Sequence, residues 1–165
     1  MEPDEFAKAV AASQNNETWL LFPVPVPEEA ISKAEALLGV QLPADYKHIL
    51  HDYGAGDFHY VELLTPAVGS GGGLVGENEE LRARGVEGFV AVSPNGCGDY
   101  YGFRSIGGRC TPEVYFWDHE VESISDDPVA GSILDFLRDN ALVSSTDMRL
   151  VATGREHLVI KWWWW

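Results

Sequence analysis

The sequence is poor in basic residues. Eleven Lys plus Arg stand against 26 Asp plus Glu, for a net charge of −15. A nucleic-acid binder needs a basic footprint to displace counterions from phosphates, and this chain has none. The same imbalance argues against adhesion to anionic membranes. It favours a basic protein partner, whose approach the field would steer; acidity that only confers solubility is the ordinary alternative. Cysteine is scarce too. Cys97 and Cys110 are the only two, and the hairpin drawn below puts Cys110 in a loop and Cys97 ahead of a strand. They are not set opposite each other and read as free thiols of a reducing cytosol. No run is long and apolar enough to cross a bilayer. The start, MEPDEFAKAV, lacks the charged-then-apolar order of a secretion signal, so the expected location is cytoplasmic.

Core-forming residues are plentiful. The chain is 45% hydrophobic with six Trp, six Tyr and seven Phe in 165 residues. That length fits one domain, 1–165, burying about 70% of its unfolded surface.

The chain is organised around Ala91–Glu122. Asp99–Arg104 and Glu113–Asp118 are aromatic and β-branched runs bounded by Gly, Pro and Asn, which predicts two strands joined by the long loop Ser105–Pro112. Pro94-Asn95-Gly96 and Cys97-Gly98 are turns leading into the first. Ahead of this hairpin, Asp4–Ala12 reads as a short helix with Phe6, Ala9, Val10 and Ala12 as its stripe. Trp19–Phe22 reads as a buried strand, and Pro23–Pro27 as an extended connector along an edge. A helix opens at Pro27 or Glu28, with Ile31, Ala34, Leu37 and Leu38 on one face and Gly39 as its C-terminal stop. A second follows from Pro43 with Tyr46, Ile49, Leu50 and Tyr53, ending at Gly54-Ala55-Gly56; the short loop makes the two antiparallel neighbours. Phe58–Leu64 is a strand, Ser70–Gly73 a flexible loop, Asn78–Arg84 a short helix and Phe89–Val92 a short apolar strand. Asp127 as N-cap and Pro128 at the first helical position start a last helix, with Val129, Ile133, Phe136 and Leu137 facing the core.

The extension from Val143 differs in character. Arg149, Arg155 and Lys161 against Asp147 and Glu156 leave it at +1, so the preceding 142 residues carry −16. A hairpin around Thr153-Gly154 is expected. Trp162–Trp165 would present roughly 600–1,000 Å² of aromatic surface. Packing on the sheet is the default reading, with docking a partner and disorder as alternatives.

Linear motifs give no catalytic constellation. Ser70–Gly76 lacks the Gly-Lys-Ser/Thr ending of a phosphate loop. Asp118-His119-Glu120 are consecutive on a strand and point to alternate faces, so they converge poorly on a metal. His48 and His51 have no HExxH around them. Cys97 has no His placed beside it, and Ser93 and Ser132 sit in no Gly-x-Ser-x-Gly elbow.

Taken in order, these segments resemble a known family. Leu38-Gly39, Leu42-Pro43-Ala44-Asp45-Tyr46 and Gly54-Ala55-Gly56 look like the opening of the SUKH superfamily, in particular its SMI/KNR-type domain. Gly98–Tyr101 and Val114–Glu120 resemble that family's two central strands, and Phe136-Leu137 falls where its terminal helix belongs. The resemblance runs from Pro27 to Leu142. It implies an α+β fold, a twisted and largely antiparallel sheet with helices packed beside it. It also implies a non-enzymatic role without a cofactor. Many bacterial members are immunity proteins that bind and block a cognate toxin of a polymorphic or contact-dependent system; a eukaryotic branch regulates cell-wall synthesis as an interaction protein. The motifs fit either branch.

An immunity protein of this charge would face a basic toxin, such as a nuclease or other nucleic-acid-modifying enzyme. The partner-binding residues expected on that basis are Asp99, Tyr101, Asp118, Glu120 and Glu122 near the central strands, with Asp57 and Glu62 as outer candidates. Aromatics would anchor, and carboxylates would orient and speed association. The ordinary alternatives are that Asp99 caps a turn, Tyr101 belongs to the core, and Glu120 and Glu122 are merely solvated.

Overall fold

The structure, a computed structural model, describes residues 1–13, 22–24, 26–58, 60–66 and 72–142. The expectations for Trp19–Leu21, the hairpin around Thr153-Gly154 and Trp162–Trp165 lie outside the described residues.

The N-terminal half forms helices where apolar residues recur a turn apart. Helix α1 (Pro3–Ser13) has Asp4 and Glu5 in its first turn, where the helix dipole favours acids, and buries Phe6 and Val10. After strand β1 (Phe22–Val24), helix α2 (Glu28–Leu38) buries Ile31, Ala34 and Leu38 and ends at Gly39 in the left-handed conformation. Leu37, expected on the buried face, is 49% exposed. Six residues beyond Ile31, it is rotated about 120° from that residue around the helix axis. Helix α3 (Ala44–Asp52) buries Tyr46, Ile49 and Leu50, with Pro43 as its extended N-cap residue. The short α2–α3 link does not make these helices each other's main neighbours: α2 packs chiefly on α4 and α3 on α5. The link itself is pinned elsewhere, Gln41 N–H donating to Gly108 O and accepting at its own carbonyl from Cys110 N–H.

The expected single strand Phe58–Leu64 is instead part of a hairpin, β2 (Ala55–Phe58) and β3 (Val61–Leu63). The reversal falls between Phe58 and Val61, where His59-Tyr60 carries none of the Gly, Pro or Asn that normally marks a turn. With β1 these strands make an antiparallel sheet in the order β1-β2-β3. The proline-bearing β1 lies at the edge, where a missing N–H is tolerated.

Helix α4 (Gly73–Ala83) begins well before the expected Asn78. The second sheet runs β4 (Phe89–Pro94), β5 (Tyr100–Ile106), β6 (Arg109–Asp118) and β7 (Ser123–Ile124), antiparallel and in sequence order. The long loop expected over Ser105–Pro112 is a two-residue turn. Gly107 and Gly108, both at positive φ (58° and 76°), supply the backbone that matches strand twist in such turns. Cys110 therefore lies in the sheet, paired with Ser105, and Pro112 is accommodated where the β5–β6 register shifts between Phe103 and Ser105. Both cysteines are free thiols. The two sheets join where Leu64 N–H donates to Val92 O at 2.9 Å.

Helix α5 (Ile133–Ala141) starts later than expected, capped by Ser132, whose side chain accepts from Asp135 N–H. Asp127-Pro128 is not its start, and Val129 is 38% exposed. Instead, Val129 N–H donates to Val114 O and Val114 N–H to Ala130 O. Pairing with an open strand edge outweighs the local capping signal.

The main core lies between the sheets and helices α1, α2, α3 and α5, with Phe6, Tyr46, Ile49, Phe58, Phe103 and Leu134 fully buried. A smaller cluster of Leu81, Phe89, Ala91 and Trp117 sits on the opposite face of the second sheet, under α4. Covered on both faces, β4 is apolar without alternation. The fold is α+β.

Candidate functional site

The β2–β3 hairpin, the end of β4 and the start of β5 enclose a cleft of about 150 Å³. Its rim carries Asp57 and Glu62, which stand directly opposite each other across the antiparallel pair. Like charges so placed repel. Partial burial, then Asp57, then Glu77 from α4, raise the pKa of the Glu62 carboxyl above its ordinary value. None of the ion pairs among the described residues uses either carboxylate.

The floor of the cleft is mostly neutral. Tyr101, Tyr60, Phe136 and Ser93 line it. The β4–β5 register, shifted by a bulge between Ala91 and Ser93, pairs Ser93 with Tyr101. Tyr101 packs between Phe116 and Phe136 at ring-centroid distances of 5.2 and 4.8 Å. Burial first, and Asp99 second, push its phenol up to about 12. It is thus both a core residue and a cleft residue.

Asn95, on the cleft rim, leads to a second acidic cluster. Its Oδ1 accepts from Cys97 N–H (2.8 Å) and Asp99 N–H (3.1 Å), and its Nδ2 donates to Asp99 Oδ2 at 2.6 Å. Asp99 Oδ1 in turn accepts from His119 N–H at 2.9 Å and meets His119 Nδ1 at 2.6 Å. Partial burial pushes Asp99 up, but hydrogen bonds from the His119 backbone and ring and from Asn95 outweigh it and hold the carboxyl below its usual range. The same ring hydrogen bond to Asp99 raises His119, with Asp99, Glu120 and Asp118 adding charge attraction against slight desolvation.

Asp99, Asp118 and His119 bring one potential ligand atom each within 4.8 Å of one another. This corrects the premise that Asp118 and His119 must diverge. β6 ends at Asp118, so strict alternation no longer governs the next side chain. Their atoms already serve the turns: Asp118 Oδ1 accepts from Glu120 N–H and Val121 N–H, while His119 clasps Asp99.

The expected residues therefore fall into separate groups. Asp57, Glu62 and Tyr101 share the cleft; Asp99 and Asp118 brace the turns beside it. Glu120 and Glu122 are exposed on the β6–β7 turn, with Glu122 4.0 Å from Arg84. Ser93, Tyr60 and Phe136 were missed as cleft residues. In the sequence Ser93 stands out only as a nucleophile without an elbow motif, and Phe136 only as a core residue of the last helix. Asn95-Gly96 was legible as a turn, but not as the joint between the clusters.

Fold and site together define an α+β domain with an acid-rimmed cleft where two antiparallel sheets meet. A family model described as SMI1-KNR4 cell-wall, of the SUKH group, matches residues 28–137, more than half of the chain, and the chain belongs to that family. No curated protein matches it. No helix among the described residues is long and apolar enough to cross a membrane.

Proposed function

We propose that this chain is an immunity protein that binds and neutralises a basic toxin, with a nuclease or other nucleic-acid-modifying enzyme as the best-fitting class, and that it acts by occupation rather than turnover. The observation carrying this reading is the cleft in which Asp57 and Glu62 face each other with no ion-pair partner among the described residues, on a family member with net charge −15. Two uncompensated carboxylates cost energy in the free protein, and a cationic partner surface recovers it. Acting in the cytoplasm, the protein would meet its toxin at or before the toxin's target.

The test is capture. Purified chain mixed with the toxin domain encoded beside it should form a stable complex and abolish that domain's activity at equimolar ratio. An encoded neighbour that is neither bound nor inhibited would sink the reading. The phrase "cell-wall" in the family description supports a second reading, a regulatory interaction domain in wall synthesis. Deletion separates the two. Loss of protection against one toxin supports immunity, whereas altered wall composition without toxin exposure supports regulation.

A further inference from the structure

We propose that the cleft between the β2–β3 hairpin and the end of β4 is a socket for a single arginine side chain of the protein partner. This deepens the immunity reading and rests on it for the partner's nature. Three independent features point to the occupant.

The first is charge. Asp57 and Glu62 present two carboxylates from directly opposed strand positions, and the further charge felt by Glu62 is another acid, Glu77. A neutral guest would leave that repulsion in place.

The second is unused hydrogen-bonding capacity inside the cleft. Ser93 is 1% exposed and Tyr101 7%, and both line the cleft on paired strand positions. Neither hydroxyl has a hydrogen-bond partner among the described residues, although buried polar groups are almost always satisfied. Neither is sealed from the cleft in the way that Arg104 Nε and Thr111 Oγ1 are sealed within the protein. Two unpartnered hydroxyls on buried residues that line the cleft are available acceptors for a guest's N–H groups.

The third is shape. The cavity exceeds by roughly tenfold the ~10–15 Å³ that one water needs, and three of the residues that line it, Tyr60, Tyr101 and Phe136, are aromatic. A guanidinium meets all three demands. It is always charged, it carries five N–H donors and no acceptor, and its plane stacks on aromatic rings. An ammonium satisfies the carboxylates but is compact and strongly hydrated, so it leaves the aromatic walls unused. A hard metal ion seeks six or more oxygens, and rings occupy much of this lining.

The experiment is a titration of the full, isotope-labelled chain followed by backbone amide NMR. The probes are acetyl-arginine amide, acetyl-lysine amide and the neutral isostere acetyl-citrulline amide. The arginine probe should shift the Glu62, Ser93 and Tyr101 amides in a saturable manner, at least tenfold more tightly than citrulline and severalfold more tightly than lysine. Glu62→Gln, with an unchanged circular dichroism spectrum, should weaken the arginine probe at least tenfold, and Ser93→Ala severalfold. Equal binding of arginine and citrulline would overturn the charge argument, and equal binding of arginine and lysine would overturn the guanidinium assignment. Shifts mapping elsewhere, or none, would overturn the socket. Toxin capture is scored separately. Capture that survives Glu62→Gln, with no arginine binding, removes the socket and leaves immunity standing; arginine binding without any toxin partner does the reverse.

Discussion

At the scale of single residues, two side chains hold the site in place by hydrogen bonds that the sequence does not announce. His119 clasps Asp99 through both its backbone and its ring, which ties the β6 end to the β4–β5 turn. Because the folded His119 is raised above its ordinary value of about 6.5, its stabilising contribution is complete below that pH and is lost as pH climbs through the raised value. Asp99 is lowered, so its share is complete above about 3.9 and is lost as pH falls through the depressed value. The melting-temperature gap between the parent and His119→Gln should therefore be widest between about pH 4 and 6.5 and narrow at higher pH. A gap that widens on going alkaline would contradict the clasp. Asn78, 1% exposed, plays a different part. Its side chain accepts from Ala91 N–H and donates to Ala91 O, both at 2.8 Å, so it completes the ladder of β4 as a neighbouring strand would. Asn78→Ala orphans both groups and should cost on the order of 3 kcal/mol in chemical unfolding.

At the scale of elements, two glycines show how context decides a residue's meaning. Gly76 lies inside α4, and a Cβ there would meet nothing within 4 Å. Gly76→Ala should stabilise the protein by about 0.5–1 kcal/mol, since it stiffens the unfolded chain and favours helix. Gly102 sits mid-strand in β5 opposite Ala91, and a Cβ there would come within 2.2 Å of Val90 O and 2.7 Å of the Phe89 ring. Gly102→Ala should destabilise by about 3 kcal/mol or prevent folding, because backbone as well as side chain must move. Urea midpoints of the two variants should shift in opposite directions. Pairing between elements also explains where the structure departs from local sequence signals. The β5–β6 turn carried its signal openly in Gly107-Gly108, but the polar run around it read as loop because Thr111 and Pro112 are poor evidence for a strand. Helix α5 starts later than its local signal, Asp127-Pro128, because pairing of Val129 and Ala130 with Val114 overrides that cap.

For the whole molecule, charge should govern how fast a partner arrives. With net charge −15, association with a basic toxin domain should slow by roughly tenfold or more from low to high salt, while dissociation changes less. Stopped-flow rates that ignore ionic strength would remove steering from the account without touching the fold. The same acidity carries an intramolecular cost. Asp57 and Glu62 repel in the free protein, so neutralising either should leave the fold intact or slightly firmer while weakening the partner complex. That pattern separates a binding residue from a structural one.

The sequence by itself determined the helical pair from Glu28 to Asp52, the central aromatic strands, the acidic balance and the family, because each is written in local periodicity or composition. Tertiary structure decided the rest. Asp57 and Glu62 face each other only because an unmarked reversal folds β2 onto β3, and Ser93 pairs with Tyr101 only because a bulge shifts the register. Phe136 comes from a helix more than thirty residues beyond Tyr101 and closes the floor. A cleft assembled from distant segments leaves no linear trace, since its chemistry depends on which backbones pair and not on which residues are neighbours in the chain.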